Sequence, residues 1–289
     1  MSREQKAKAV RNSILKIVKK DSSLSANEIR IVLALERIVA RLSSEPQLDK
    51  HLIYKGGFVL LKTLGSNRFT RDLDALSNDI DKEQVEELVP QALALDLKDG
   101  FWFGDVKVES LDEQGEYGAL RFNCAYQIGD PPSKSDALKK LSRIHFDVGF
   151  GDAIPGNLKR ATMPSLLTYE NQTSWRVYPP EFIFSEKLQT FVNRSSVNSR
   201  GKDIYDMGIL FEQCDSKKLT VAIRETFRRR ETEVPESFLE FANGVDTAML
   251  KASWNSVKFT NEESSFSGAW DLFMDHLAKI DGLFEVKDS

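Results

Sequence analysis

The segment Ile144-His145-Phe146-Asp147-Val148-Gly149-Phe150 constrains the fold more than any other stretch of this chain. Side chains alternate faces along a strand, so Ile144, Phe146, Val148 and Phe150 share one face and His145, Asp147 and Gly149 share the other. Four apolar groups on one face call for a sheet that is covered on that side. An acidic residue at the centre of so apolar a strand is costly unless it is paired or bound to a cation. A related pattern occurs in Arg71-Asp72-Leu73-Asp74-Ala75-Leu76. Asp72 and Asp74 point the same way, with Cα atoms about 6.5–7 Å apart at strand rise. Two carboxylates on one face repel each other unless a cation sits between them. Mg²⁺ is a hard ion that takes carboxylate oxygens and leaves room for phosphate oxygens. If the two strands are neighbours, Asp147 completes a cluster of three carboxylates. Such a cluster can hold two divalent ions, one activating an attacking oxygen and one clamping a leaving phosphate. The plainer alternative makes Asp147 a salt-bridge partner of Arg71 or Arg143.

The surrounding pattern places these strands. Apolar positions at helical spacing predict a helix over 5–20. Ser25 with Glu28 forms a capping-box signature for a second helix, which Ser43-Ser44-Glu45-Pro46 stops. Leu52-Ile53-Tyr54 reads as a short strand, Gly56-Gly57 as a turn, and Phe58 to Leu64 as a short helix closed by Gly65. A strand is expected over 71–76, a helix over 82–95, and strands over 101–110 and 118–128 with a hairpin loop at 112–116 between them. Pro155-Gly156 and Pro179-Pro180 mark loops, and the pattern from Glu181 onward is mainly helical. Helices, then a β-rich core, then helices predict an α+β fold, a mixed β-sheet core flanked by helices. The expected domains are a catalytic one over 1–178 with its N-terminal helices, and a helical one over 179–289 that contributes to a ligand cleft.

Bulk composition excludes several classes. The 289 residues contain no apolar run of about 18 or more, so no membrane span is expected. The charged N-terminus does not read as a secretory signal. Cys124 and Cys214 are too few for a disulfide framework and fit a reducing cytoplasm. The net charge of -4 does not by itself advertise nucleic-acid binding. Three basic clusters keep an RNA partner open: Lys16, Lys19 and Lys20; Lys134, Lys139, Lys140 and Arg143; and Arg224, Arg228, Arg229 and Arg230. Solvated helix faces are the bland alternative for each.

Gly56-Gly57 lies just upstream of the carboxylate pair. Two glycines opening a helix let the backbone approach a phosphate, whose charge the helix N-terminus favours. Further on, Lys187 sits among Phe184, Leu188 and Phe191, and its ammonium could meet a triphosphate as a point charge or snorkel over the core. Asp203 and Asp206 are three apart, so one helix face could present both to a lysine, an arginine or a nucleotide hydroxyl.

The run Tyr54-Lys55-Gly56-Gly57-Phe58-Val59-Leu60, followed by Arg68-Phe69-Thr70-Arg71-Asp72-Leu73-Asp74, resembles the first motif of DNA polymerase β-like nucleotidyltransferases. Within that superfamily it is most similar to the AbiEii-type toxins and their MenT-like relatives, the toxin halves of bacterial toxin–antitoxin systems. Glu186-Lys187-Leu188 and Lys202-Asp203-Ile204-Tyr205-Asp206 resemble the later motifs. Two positions depart from the pattern: Phe58 stands where many members carry a small hydroxyl residue, and Lys202 where arginine is frequent. The third carboxylate varies among these toxins.

The resemblance implies an enzyme that uses an NTP with Mg²⁺, transfers the nucleoside monophosphate to an acceptor and releases pyrophosphate. It implies Asp72, Asp74 and Asp147 as metal ligands and, with Lys187 and Asp203, as catalytic residues. Gly56, Gly57, Arg71 and Lys187 would bind nucleotide. The implied partners are NTP, an RNA acceptor such as a tRNA 3′ end, and a cognate antitoxin. Rival readings are a small-molecule or protein hydroxyl as acceptor, and a non-catalytic nucleotide-binding module.

Overall fold

A computed structural model describes residues 2–111, 118–156, 158–167, 172–260 and 264–285. The hairpin loop expected at 112–116 lies outside them. The chain divides into two compact units: Met1–Thr63, Thr70–Gly151 and Lys159–Val177 form the first, and Leu64–Phe69, Asp152–Leu158 and Tyr178–Ser289 the second.

The first unit begins with helices α1 (Arg3–Lys20), α2 (Ala26–Leu42) and α3 (Pro46–His51). Both halves of the Ser25–Glu28 capping box form at the start of α2. Pro46 both follows the end of α2 and opens α3, where its missing N–H costs nothing. Then come β1 (Leu52–Lys55), α4 (Gly56–Thr63), β2 (Asp74–Ser77) and α5 (Lys82–Leu93). They are followed by β3 (Phe101–Ser110), β4 (Ala119–Ile128), α6 (Ser135–Leu138) and β5 (Ser142–Gly149). The edge hairpin β6 (Lys159–Met163) and β7 (Thr173–Val177) completes the unit.

The strands form one mixed sheet in the order β3-β4-β5-β2-β1-β7-β6. β2 runs parallel to β5, and β1 parallel to β7; the other neighbours are antiparallel. The alternation expected of β5 holds over Ile144, Phe146 and Val148, which are buried, while Phe150 follows the strand's end and is half-buried. Phe122 of β4 stacks on Phe146 with ring centres 5.1 Å apart. Under β1 the core closes on Trp175 of β7, which packs against Tyr54 and Phe58.

The second unit is helical: α7 (Pro180–Arg194), α8 (Gly201–Phe211), α9 (Ser216–Arg229), α10 (Phe238–Asn243), α11 (Ala248–Trp254) and α12 (Phe266–Glu285). Pro180 is the first residue of α7 rather than part of a loop. Phe191 of α7 centres its aromatic core, with Phe241, Trp270 and Phe273 around it.

Candidate active site

Sheet register assembles the charged residues of the first unit. Asp74 lies opposite Asp147 across the β2–β5 pair, Asp147 opposite Arg121 of β4, and Asp74 opposite Lys55 of β1. Residues directly opposite each other share a face. A row Arg121–Asp147–Asp74–Lys55 therefore crosses four neighbouring strands, with two carboxylates in the middle and a cation at each end. Asp72 and His145 lie two residues back along the chain, and Asp72 Oδ1 is 3.5 Å from His145 Nε2.

The strand expected over 71–76 begins only at Asp74. The N–H of Asp72 donates to Thr70 Oγ1 at 3.2 Å, a local turn that competes with the ladder. The Asp147 N–H still donates to Leu73 O at 3.0 Å, so Asp72 keeps the strand's alternation although it precedes the strand. Leu73 and Ala75 are buried, and Asp72 and Asp74 are partly exposed between them.

Asp147 is held by Arg121, whose Nε and Nη2 each donate to one carboxylate oxygen at 2.8 Å. Its partner is thus neither Arg71, which is exposed, nor Arg143, which pairs with Asp105 and Asn123 instead. Sequence reasoning missed Arg121, because an arginine on an antiparallel neighbour is found only once the register is known. Hydrogen bonding to Asp147 raises the Arg121 guanidinium above its ordinary value.

The glycine turn serves the same row. Gly56 has φ +74°, and a Cβ placed there would lie 2.1 Å from Asp74 Oδ2. Only glycine gives both that backbone and that approach. α4 begins at Gly56, so the N-terminus of the helix lies beside the Asp74 carboxylate. The helix is held from its far end: Lys62 Nζ donates to the buried Glu36 at 2.6 Å, and Glu36 also accepts from Ser165 Oγ and Leu166 N–H. Phe58 is fully buried and meets Trp175 edge-on at 5.9 Å, so the position of the family hydroxyl is used here for core packing.

The donor set can be tested against a metal. Among the described residues, no group of three or more acidic, histidine or cysteine side chains is gathered as an ion cage. Mg²⁺ does not require one, since it is usually held by one or two carboxylates together with water and substrate phosphates. Asp72 and Asp74 fit that demand. Asp147 spends one lone pair of each oxygen on Arg121 and keeps a second on each with which it can join them.

Lys187 and Asp203 belong to the second unit and form their own cluster there. Lys187 is buried, which excludes the snorkelling alternative. Its Nζ lies 2.5 Å from Asp203 Oδ1 and 3.0 Å from Asp206 Oδ2. Asp203 also accepts from Arg200, and Asp206 from Arg68. Burial alone would raise both carboxyls. The cations outweigh it, Lys187 and Arg200 at Asp203 and Arg68 and Lys187 at Asp206, and hold both below the ordinary aspartate range. Burial likewise opposes the Lys187 charge, and the two carboxylates overcome it. Of the late basic cluster, Arg228 and Arg229 both pair with Glu225, and Arg230 is sunk between Asp152 and Glu186. Arg230 is therefore an internal ion-pair partner rather than a surface phosphate contact.

Residues 37–279 match the family model described as nucleotidyl transferase AbiEii toxin, type IV toxin–antitoxin system. The chain belongs to the AbiEii family. It is a nucleotidyltransferase of the toxin–antitoxin class, which implies an NTP substrate and a cognate antitoxin. Two solved structures from Helicobacter pylori share the fold. JHP933 superposes with a TM-score of 0.56 at 15% identity, covering 92% of this chain and 96% of its own. A provisionally assigned nucleotidyltransferase gives 0.56 at 14%, covering 91% and 99%. No curated protein sequence matches the chain. No helix among the described residues is long and apolar enough to cross a membrane.

Proposed function

We propose that this AbiEii-family toxin acts in the cytoplasm and transfers the nucleoside monophosphate of an Mg²⁺-bound NTP to an RNA 3′ hydroxyl, that of a tRNA being the expected acceptor. The observation that carries the reading is the row in which Asp74 and Asp147 stand side by side, with Gly56 packed against the Asp74 carboxylate. The acceptor oxygen forms a bond to the α-phosphorus, the bond from that phosphorus to the pyrophosphate oxygen breaks, and the hydroxyl proton passes to solvent water as pyrophosphate leaves. Asp72 and Asp74 would hold the metal, which supplies charge neutralisation at the phosphates. Asp147 would be the third catalytic carboxylate, oriented by Arg121 and available as a ligand through its remaining lone pairs.

The N–H groups at Gly56 and Gly57 suit a phosphate at a helix N-terminus, and Arg71 adds an exposed cation next to Asp72 in the chain. Lys187 would meet the triphosphate as a point charge, with Asp203 fixing the lysine. In this reading the first unit is the catalytic domain and the second a helical domain that contributes to nucleotide and acceptor binding. The exposed lysines Lys16, Lys19, Lys20, Lys134, Lys139 and Lys140 support an RNA acceptor. The test is transfer of labelled nucleotide to total RNA, compared with RNA whose 3′ hydroxyls have been oxidised. Labelling should vanish after oxidation. Label on oxidised RNA, or on protein, would replace the RNA 3′ end with another acceptor.

A further inference from the structure

The segment Leu64–Phe69 connects α4 to the carboxylate motif in sequence, yet it folds with the second unit. Its backbone is fixed there: Phe69 N–H donates to Lys258 O at 2.8 Å and Thr260 N–H donates to Asn67 O at 2.6 Å. Between them lies Arg68, a buried arginine to which the sequence motif alone assigns no role. Its Nε and Nη2 reach the two oxygens of Asp206 at 2.8 Å each. Asp206 is completely buried and also carries Lys187 on its Oδ2.

An ammonium has three N–H donors. Lys187 gives one to Asp203 and one to Asp206, which leaves a third. Arg68 grips both Asp206 oxygens, so it fixes the plane of that carboxylate and with it the direction in which the second Lys187 donor is spent.

We propose that Arg68 is a positioning residue for nucleotidyl transfer: by gripping both oxygens of Asp206 it fixes the carboxylate that orients Lys187, so that the third Lys187 N–H donor is presented to a phosphate oxygen of the NTP. This deepens the reading of Lys187 as a nucleotide-binding residue and rests on it. Arg68 itself need not touch substrate.

Three variants test it: Arg68→Lys, the double variant Arg68→Met with Asp206→Leu, and Lys187→Ala. The double variant removes the buried pair as a unit, a change that proteins often tolerate without loss of stability. It should melt near the wild type, yet kcat/KM for NTP should fall roughly a hundredfold, because a misplaced group costs about that much. KM for the RNA acceptor should stay unchanged. The carbon-13 signal of the Lys187 ε-carbon, followed against pH, should titrate lower in the double variant, since one of its two carboxylates is gone. Arg68→Lys keeps the charge but not the two-pronged grip, and should lose about tenfold in kcat/KM for NTP. Wild-type NTP kinetics in the folded double variant would overturn the inference and leave Arg68–Asp206 a purely structural pair. Lys187→Ala separates the two claims. If it leaves NTP use intact, the nucleotide reading of Lys187 falls and the Arg68 inference with it. If it cripples NTP use while the double variant does not, only the Arg68 inference falls.

Discussion

On the sheet of the first unit, Asp72 and Asp74 keep part of their surface open to solvent, and Asp72 has 47% of its side chain exposed. In the second unit, Asp203 and Asp206 are sealed and shared among Lys187, Arg68 and Arg200. Both regions gather carboxylates on regular elements, but their electrostatics differ. The buried pair has its countercharges built in, and they are fixed by geometry. The exposed pair on the sheet has neighbouring cations at the ends of a row and solvent access, which are the conditions under which an exchangeable counterion can bind. Acidic residues alone therefore do not mark the reacting centre. Solvent access separates a site for chemistry from a site that holds a lysine in place.

The strongest way to break this comparison is to unbalance the sealed cluster. Asp206→Ala leaves Arg68 and Lys187 with one carboxylate too few, and removing one partner of a buried pair costs about 3–5 kcal/mol. Denaturant unfolding of the variant should show a drop in stability of that size, whereas Asp72→Ala on the open sheet should move the midpoint little. An equal drop at Asp72 would erase the distinction.

A smaller effect is expected where the open row depends on glycine. Gly56→Ala forces a side chain into a left-handed backbone, a strain of about 1–3 kcal/mol, and pushes its Cβ into Asp74. Transfer activity should fall by more than the melting temperature suggests, because the displaced group is a reacting-centre carboxylate. Retained activity with unchanged melting would show that the approach of Gly56 to Asp74 does not matter.

Acid should also distinguish the regions. Asp203 and Asp206 are held below the ordinary aspartate range when folded. The unfolded chain therefore binds more protons in that window, so stability rises with pH through it and is lost as pH falls through the folded values. Lys187 is raised, so its contribution is complete below the ordinary lysine value and is lost only as pH climbs through the folded one. Melting curves between about pH 2 and 5 should fall less steeply for Asp203→Asn than for the wild type. Identical slopes would remove the buried cluster from the acid response.

The mildest effect is expected at the surface. Reversing Lys16, Lys19 and Lys20 should weaken RNA binding similarly for all sequences, with a salt slope shallower by about one for each phosphate no longer neutralised. Affinity and salt slope equal to those of the wild type would return these lysines to a solvated helix face. Reversing Arg230 is a different experiment, because it breaks an internal pair with Asp152 and Glu186.

Much of the first unit was legible because its signals are local. The capping box at Ser25, the alternation of β5 and the spans of β3 and β4 follow from residues near one another in sequence. The edge hairpin was missed because β6 and β7 are short and rich in charged and hydroxyl residues, such as Lys159, Arg160, Ser174 and Arg176. Asp72 and Asp74 could be read as a pair from strand geometry alone. The partner of Asp147 could not, since Arg121 is 26 positions away and meets it only through register. Arg68 and Asp206 are 138 positions apart, and no periodicity links them. The charged run at 228–230 looked uniform in sequence, but α9 ends at Arg229, and Arg230 at its C-cap turns inward while Arg228 stays on the surface.

If the open carboxylates on the sheet perform the transfer while the sealed ones hold Lys187 in place, replacing one oxygen of Asp74 by nitrogen tests the division most directly. Asp74→Asn keeps the size of the side chain and removes its charge, and labelled-NTP transfer should be measured alongside thermal melting. Activity should fall to background with melting at or above that of the wild type, since one of two adjacent like charges has been removed. Wild-type transfer by the folded Asp74→Asn protein would contradict the assignment of the open carboxylates to the reaction.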